Sequence, residues 1–343
     1  MSIADKLTQL NEIKQDIKQA IIDKGQAATD DMGEYSTLIS NISGGAADDS
    51  FKNFIERNGN EFNLPSNLTK IGDYAFYTNT KLQTTSLPDG ITSIGQYAFY
   101  KCTNLNLTSL PDTITSIGQY AFSSCDKLAL TSLPASITTI NQSVFESCDN
   151  LALTSLPDGV TTIALSAFSG CPKLALTSLP PKLTSIDHYG FNKCTNLALT
   201  SLPEGLKSLG YNSFYECTNL ALTSLPESLT SINHHSFYEC ENLALTSLPE
   251  GLTQITNSSF YGCKKLAITS MPPNLYRIYE YAFQNCTGLT TITFKNTPTA
   301  IHKGTFQGCT NLLTINVPWA EGAVADAPWG ATTATINYNY VEG

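Results

Sequence analysis

"YECTNLALTSLPESLTSI" occupies residues 215–232, and nearly the same phrase stands 23 residues before it and 23 after it. The phenylalanine just ahead of each phrase sets the period. It recurs at Phe76, Phe99, Phe122, Phe145, Phe168, Phe191, Phe214, Phe237, Phe260, Phe283 and Phe306, every interval being 23 residues with no insertion or deletion. Counted from that Phe, a small residue sits one before it and Leu six after. Leu then usually follows at eight and eleven, Pro at twelve, an aliphatic at fifteen and Ile or Leu at eighteen. The constant slots are nearly all apolar, and the slots between them vary and are mostly polar. Such a unit cannot bury its apolar face alone and must stack on its neighbours, so the array reads as one solenoid. At the spacing of adjacent strands, eleven turns reach on the order of 50 Å.

Within one unit, "LALTSLP" reads as a short strand that its proline ends, and "PDG", "PEG" and "PES" are turn words. "TSI" is a second short extended piece. The words around "YAFYKC" place Ala, Phe and Cys on one side of a helical or 3₁₀ turn. The expectation is an α+β solenoid, right-handed, of about eleven turns, with an N-terminal helical segment and a C-terminal cap.

Ten cysteines occupy one slot, three residues after the Phe: Cys102, Cys125, Cys148, Cys171, Cys194, Cys217, Cys240, Cys263, Cys286 and Cys309. An even count raises the option of a disulfide framework. Side chains stacked in register run parallel instead of toward each other, however, and free cysteine packs well as a small hydrophobe. The preferred reading is therefore a reduced, buried ladder. No two cysteines lie nearer than 23 residues, which does not suit a zinc site. The slot reads as apolar, so a serine hydroxyl placed there is expected to lack a partner.

Of the 343 residues, 41% are hydrophobic and 14% charged, with a net charge of −10. An acidic chain without a basic stripe does not suit nucleic acid or an anionic membrane, and no apolar run is long enough for a membrane span. The start, "MSIADKLTQLNEIKQDIKQAII", lacks the marks of a secretory signal. It points to synthesis in the cytoplasm without a signal peptide, where ten thiols stay reduced.

Ile3, Leu7, Leu10, Ile13, Ile17 and Ile21 form an amphipathic helical stripe. Residues 1–43 are read as a docking or oligomerisation segment, 44–50 ("GGAADD" and its flank) as a linker, 51–318 as the solenoid with its N-terminal cap, and 319–343 as a C-terminal cap holding Trp319 and Trp329. The stripe either packs on residues 26–43 or serves self-association.

The phrases "YAFYKCTNL" and "LPDGITSI" resemble the BspA-like leucine-rich repeats, the 23-residue bacterial class. The resemblance covers residues 60 to about 318 and implies a leucine-rich repeat solenoid. The family wording after the Cys places aliphatics six and eight residues on, as in "CTGLTTITF" and "CTNLLTINVP" here. Earlier turns have Leu five and eight after the Cys, which shifts or bulges their strands. The two ends, "KLTQLNEIKQDIKQAIIDKG" and "VPWAEGAVADAPWGATTATINYNY", resemble those of repeat proteins encoded with phage and prophage tail genes of gut bacteria. That second resemblance implies a receptor-binding virion component, docked to a tail protein through residues 1–43. Otherwise the protein would stand on the cell surface.

No P-loop, G-x-S-x-G or H-E-x-x-H word is present, so no catalytic residue, metal ligand or cofactor is expected. The acids after the proline (Asp89, Asp112, Asp158, Glu204, Glu227, Glu250) line one edge as turn residues, with a calcium ladder as the rival. The Thr-Ser pairs from Thr108-Ser109 to Thr269-Ser270 read first as strand residues and close-approach serines, and second as a hydroxyl-lined face. Aromatic residues at variable slots form the candidate ligand site: Tyr211, Tyr215, His234, His235, Tyr238 and Tyr261. Rigid aromatic surfaces suit recognition, here by stacking of a host-surface glycan or protein segment on the ring faces. Simple ladder packing is the alternative. The function expected is non-enzymatic binding or adhesion, against a structural spacer that the repeated exposed words favour.

Overall fold

The computed structural model describes residues 64 and 68–341. The expected helix in residues 1–43, the linker and most of the N-terminal cap lie outside the described residues. The chain coils as a right-handed solenoid of about twelve turns, one more than the eleven Phe anchors indicate.

The strands are two or three residues long. β1 (Lys70–Ile71), β2 (Ser93–Ile94) and β3 (Ser116–Ile117) form one parallel sheet. β4 (Thr139–Ile140), β5 (Thr162–Ile163), β6 (Ser185–Ile186) and β7 (Ser208–Leu209) form a second. β8 (Gln254–Ile255), β9 (Arg277–Ile278) and β11 (Ala300–Ile301) form a third. All of these are the "TSI" words, paired 23 residues apart, with their Ile or Leu buried and the preceding residue outside.

The "LALTSLP" words are not strands in most turns, which corrects the sequence reading. Their inward leucines lie three apart, as Leu107 and Leu110 do, whereas a strand puts alternate residues on one face. At most two backbone bonds per turn join these segments, for example Ala129 N–H to Leu107 O at 3.0 Å. Only where the spacing becomes two, with Ile292 and Phe294 buried, do regular strands form. These are β10 (Thr291–Thr293), β12 (Thr314–Asn316) and β13 (Thr335–Asn337), paired in parallel. The register from β12 to β13 is 21 residues instead of 23, so the last coil is two residues short. It closes the core with Trp319, Val324 and Trp329, all buried.

Among the described residues there is no helix, and the α+β expectation is corrected to a β-solenoid. The cause lies in the backbone around each Phe. The residues two before and two after it are left-handed in every unit, with φ between 48° and 61° where they are not glycine; Tyr97 and Lys101 are one such pair. A right-handed helix cannot pass through a left-handed residue every fourth position. The alternation frees every second N–H to point along the axis. Tyr97, Phe99 and Lys101 donate to Gln119 O, Ala121 O and Ser123 O of the next coil at 2.8–2.9 Å. Tyr100 and Cys102 N–H groups close local turns onto Tyr97 O and Phe99 O.

The core is one column of buried slots. The eleven Phe rings stack with centroids 5.1–5.7 Å apart and interplanar angles of 1–11°. All ten cysteines are free and buried. Each thiol donates to the Phe carbonyl of the preceding coil, as Cys194 Sγ does to Phe168 O, at 2.9–3.1 Å. The slot therefore holds an acceptor and is not purely apolar as the sequence suggested. Most of these carbonyls also take the Cys N–H of their own turn, as Phe191 O does from Cys194, so there the thiol fills the second lone pair. The first coil has Asn79 in the slot, whose Oδ1 accepts the N–H groups of Lys81 and Leu82.

Candidate functional site

Because two positions per unit are left-handed, the segment around each Phe turns sharply and presents side chains outward on one flank. The residue one after the Phe and those two and three before it stack in columns from coil to coil. Their identity varies, so each coil can carry a different surface on the same backbone.

The structure brings the six aromatic residues singled out from the sequence onto this flank. Tyr215, Tyr238 and Tyr261 stack in register, with centroids 4.7 and 4.5 Å apart and planes within 7°. Tyr211 tilts against His234 at 5.3 Å, and His235 tilts against Tyr238 at 5.7 Å. His188 extends the second column by stacking on Tyr211 at 4.6 Å. Tyr211 is 44% exposed, and the three stacked tyrosines are half-buried.

The stacking changes what the strip offers. At centroid spacings near 4.6 Å the ring faces cover one another, so the interior rings present edges and phenolic hydroxyls. The expectation of a ligand lying on these faces is corrected accordingly: only the end rings keep an uncovered face. Burial, then Tyr261 and Tyr215, push the Tyr238 phenol up to about 12, and burial with Glu216 raises Tyr215. Both phenols are neutral and can donate as well as accept. Asn285 Nδ2 donates to Tyr261 OH at 3.1 Å and fixes the far end.

A second aromatic cluster escaped the sequence reading. Tyr74, Tyr97 and Tyr120 stack at 5.1 and 4.6 Å, and Tyr77 and Tyr100 stack beside them at 5.1 Å. Tyr97 and Tyr100 meet edge to face at 5.5 Å. The missed signal is the column two before the Phe, which reads Tyr, Tyr, Tyr through the first three coils. Ser143 and Ser166 continue that column, and in the next coil Tyr189 is 42% exposed with no ring neighbour among the described residues. One flank thus carries two aromatic patches with a floor of small residues between them.

Among the described residues no group of three or more His, Cys, Asp or Glu is placed to hold a metal. The acidic column is exposed, and Glu227 Oε2 accepts the Glu250 N–H at 3.0 Å. No helix of the described residues is long and apolar enough to cross a membrane.

The coil, the Phe and Cys ladders and the outward flank define a leucine-rich repeat solenoid. A family model described as the BspA type leucine rich repeat region matches residues 47–175, 161–290 and 230–321, most of the chain, and the protein belongs to that family. Among solved structures, a leucine rich cell surface protein from Faecalibacterium prausnitzii is 26% identical. It aligns over 76% of this chain and 79% of its own, with a TM-score of 0.51. A leucine-rich repeat protein from Bacteroides ovatus is also 26% identical, over 80% and 82% of the two chains, with a TM-score of 0.49. No curated protein matches.

Proposed function

We propose that this is a non-enzymatic binding or adhesion protein that recognises a host-surface glycan or protein through the aromatic flank. The observation that carries it is the contrast between inside and outside. The inward slots repeat almost unchanged, while the flank concentrates tyrosine and histidine in two patches on a backbone that does not change. Membership of the BspA-type family and the likeness to a cell surface protein support a surface role. We extend the reading to a tail-associated component of a phage or prophage, on the resemblance of the two chain ends, with residues 1–43 as the docking or self-association segment.

The test changes Tyr215, Tyr238 and Tyr261 together to Ser and assays binding to bacterial cells and to a glycan array. The expected result is lost binding with an unchanged thermal midpoint. Retained binding by a folded triple variant refutes the site. Unfolding of the triple variant makes the strip structural.

A further inference from the structure

The Thr-Ser pairs, which their sequence suits to strands and close coil approach, sit outside the strands on the surface. From Thr85-Ser86 to Thr269-Ser270, nine consecutive coils carry Thr then Ser at the same two slots, giving two columns of nine hydroxyls. These residues are exposed, Ser270 alone being half-buried, and none of them belongs to a strand; Ser270 makes an isolated bridge to Thr293. The leucines on either side, such as Leu153 and Leu156, are buried and hold each pair outward.

None of these side-chain hydroxyls has a hydrogen-bond partner among the described residues. A threonine column elsewhere shows what a structural hydroxyl does here. Thr92, Thr115 and Thr184 donate through Oγ1 to carbonyls of the preceding coil at 3.1–3.2 Å. The Thr-Ser columns do nothing of that kind. The next two coils, which run as regular strands, place buried Ile292 and Ile315 at the Thr slot and continue the array without an outward pair.

Copying of a repeat does not account for the constancy either. Other outward slots of the same units have diverged; the residue three before the Phe runs Asp73, Gln96, Gln119, Gln142, Leu165 and His188. Exposed side chains whose hydroxyls bond nothing among the described residues, and which still stay the same through nine coils, point to a partner outside the chain.

We propose that these columns bind an extended, uncharged polysaccharide laid along the solenoid axis, one sugar unit to each coil. Each hydroxyl both donates and accepts, which matches sugar hydroxyls. The columns contain no charged residue, so a neutral polymer is favoured over an anionic one. Coils rise by about 4.8 Å, close to the advance of one pyranose in an extended chain. Single contacts of this kind are weak, and nine in register add as linked sites do. The columns end at a cleft of about 440 Å³ lined by Ser247, Ser270, Met271, Glu250 and Lys295, where the bulged coils give way to regular strands. A chain lying on the columns runs into it. This inference deepens the binding reading but uses a different face from the tyrosines.

The experiment measures retention of the full chain on cellulose, chitin, β-1,3-glucan and α-mannan, and affinity for oligomers of the retained polymer. Thr154, Thr177, Thr200 and Thr223 are changed together to Val, which keeps shape and removes hydroxyls at exposed positions. The proposal expects at least tenfold weaker retention with an unchanged thermal midpoint, and affinity that climbs with oligomer length toward nine units. It is overturned if no polymer in the panel is retained, if the valine variant binds like the parent, or if affinity is flat with length. Loss of cell binding in the tyrosine variant, with the valine variant unaffected in every assay, leaves the flank reading standing and removes this one.

Discussion

Each cysteine in the ladder works both as a small apolar filler and as the donor to a buried carbonyl of the coil below. Burial raises every thiol, with Cys171 pushed up to about 12 and Cys194 held well above the ordinary range. Thiolate is the reactive form, so a disulfide-exchange reagent at neutral pH should modify few sites in the folded protein and all ten after denaturation. Rapid labelling of the native protein would contradict this. The hydrogen bond makes a second prediction. Cys194→Ser keeps a donor for Phe168 O, whereas Cys194→Ala removes it. A net bond of this kind contributes about 1 kcal/mol, so the serine variant should be at least as stable as the alanine variant in chemical denaturation. Apolar burial alone orders them the other way.

At the scale of the element, the sharp segment around each Phe depends on left-handed residues that are mostly not glycine. Ser147 has φ of 56°. A left-handed conformation costs an L-residue roughly 1–2 kcal/mol, and glycine loses about 0.5–1 kcal/mol through the unfolded chain. Ser147→Gly should therefore stabilise by up to about 1 kcal/mol, while the branched Ser147→Val destabilises. Equal midpoints for both in urea would refute the assignment. The same flank has a pH dependence. Burial, then the neighbouring His234, lower the His235 pKa below 6.5. The unfolded chain then binds more protons as pH falls below that value, so stability is full above pH 6.5 and declines toward the folded pKa. His235→Asn, which also tolerates a left-handed φ, should flatten the fall in thermal midpoint between pH 7.5 and 5. Identical profiles for the two proteins would overturn it.

This element also marks where the sequence was legible and where it was not. The 23-residue register and the inward Phe, Cys and Leu were plain because burial demands the same residue in every coil. The left-handed positions were hidden because Tyr, Ser, Lys and Glu occupy them. Their signal was scattered along the array as Gly170, Asn212, Gly262 and Asn285, each at one of these slots. The misplaced strand had a plainer sign, the three-residue spacing of Leu107 and Leu110, which no strand face can bury. At the candidate site, the residues and the in-register stacking of Tyr215, Tyr238 and Tyr261 were legible from the repeat and the coil rise. What the column alone did not show is the parallel ring orientation by which neighbours cover each other's faces.

For the whole molecule, the register between coils has a mechanical consequence. Nearly every inter-coil bond, from Phe99 N–H to Ala121 O onward, points along the axis from one coil to the next. A tensile load applied to the two chain ends therefore falls on one coil's bonds at a time, and the array unwinds from its ends instead of giving way at once. Each coil released pays out 23 residues, which lengthens the tether by roughly 75 Å at full extension. Optical-tweezer traces should show a ladder of near-equal steps, with the two-residue-short last coil giving a slightly smaller one. A protein built this way would yield gradually under shear at a surface, each coil acting as a fuse for the next.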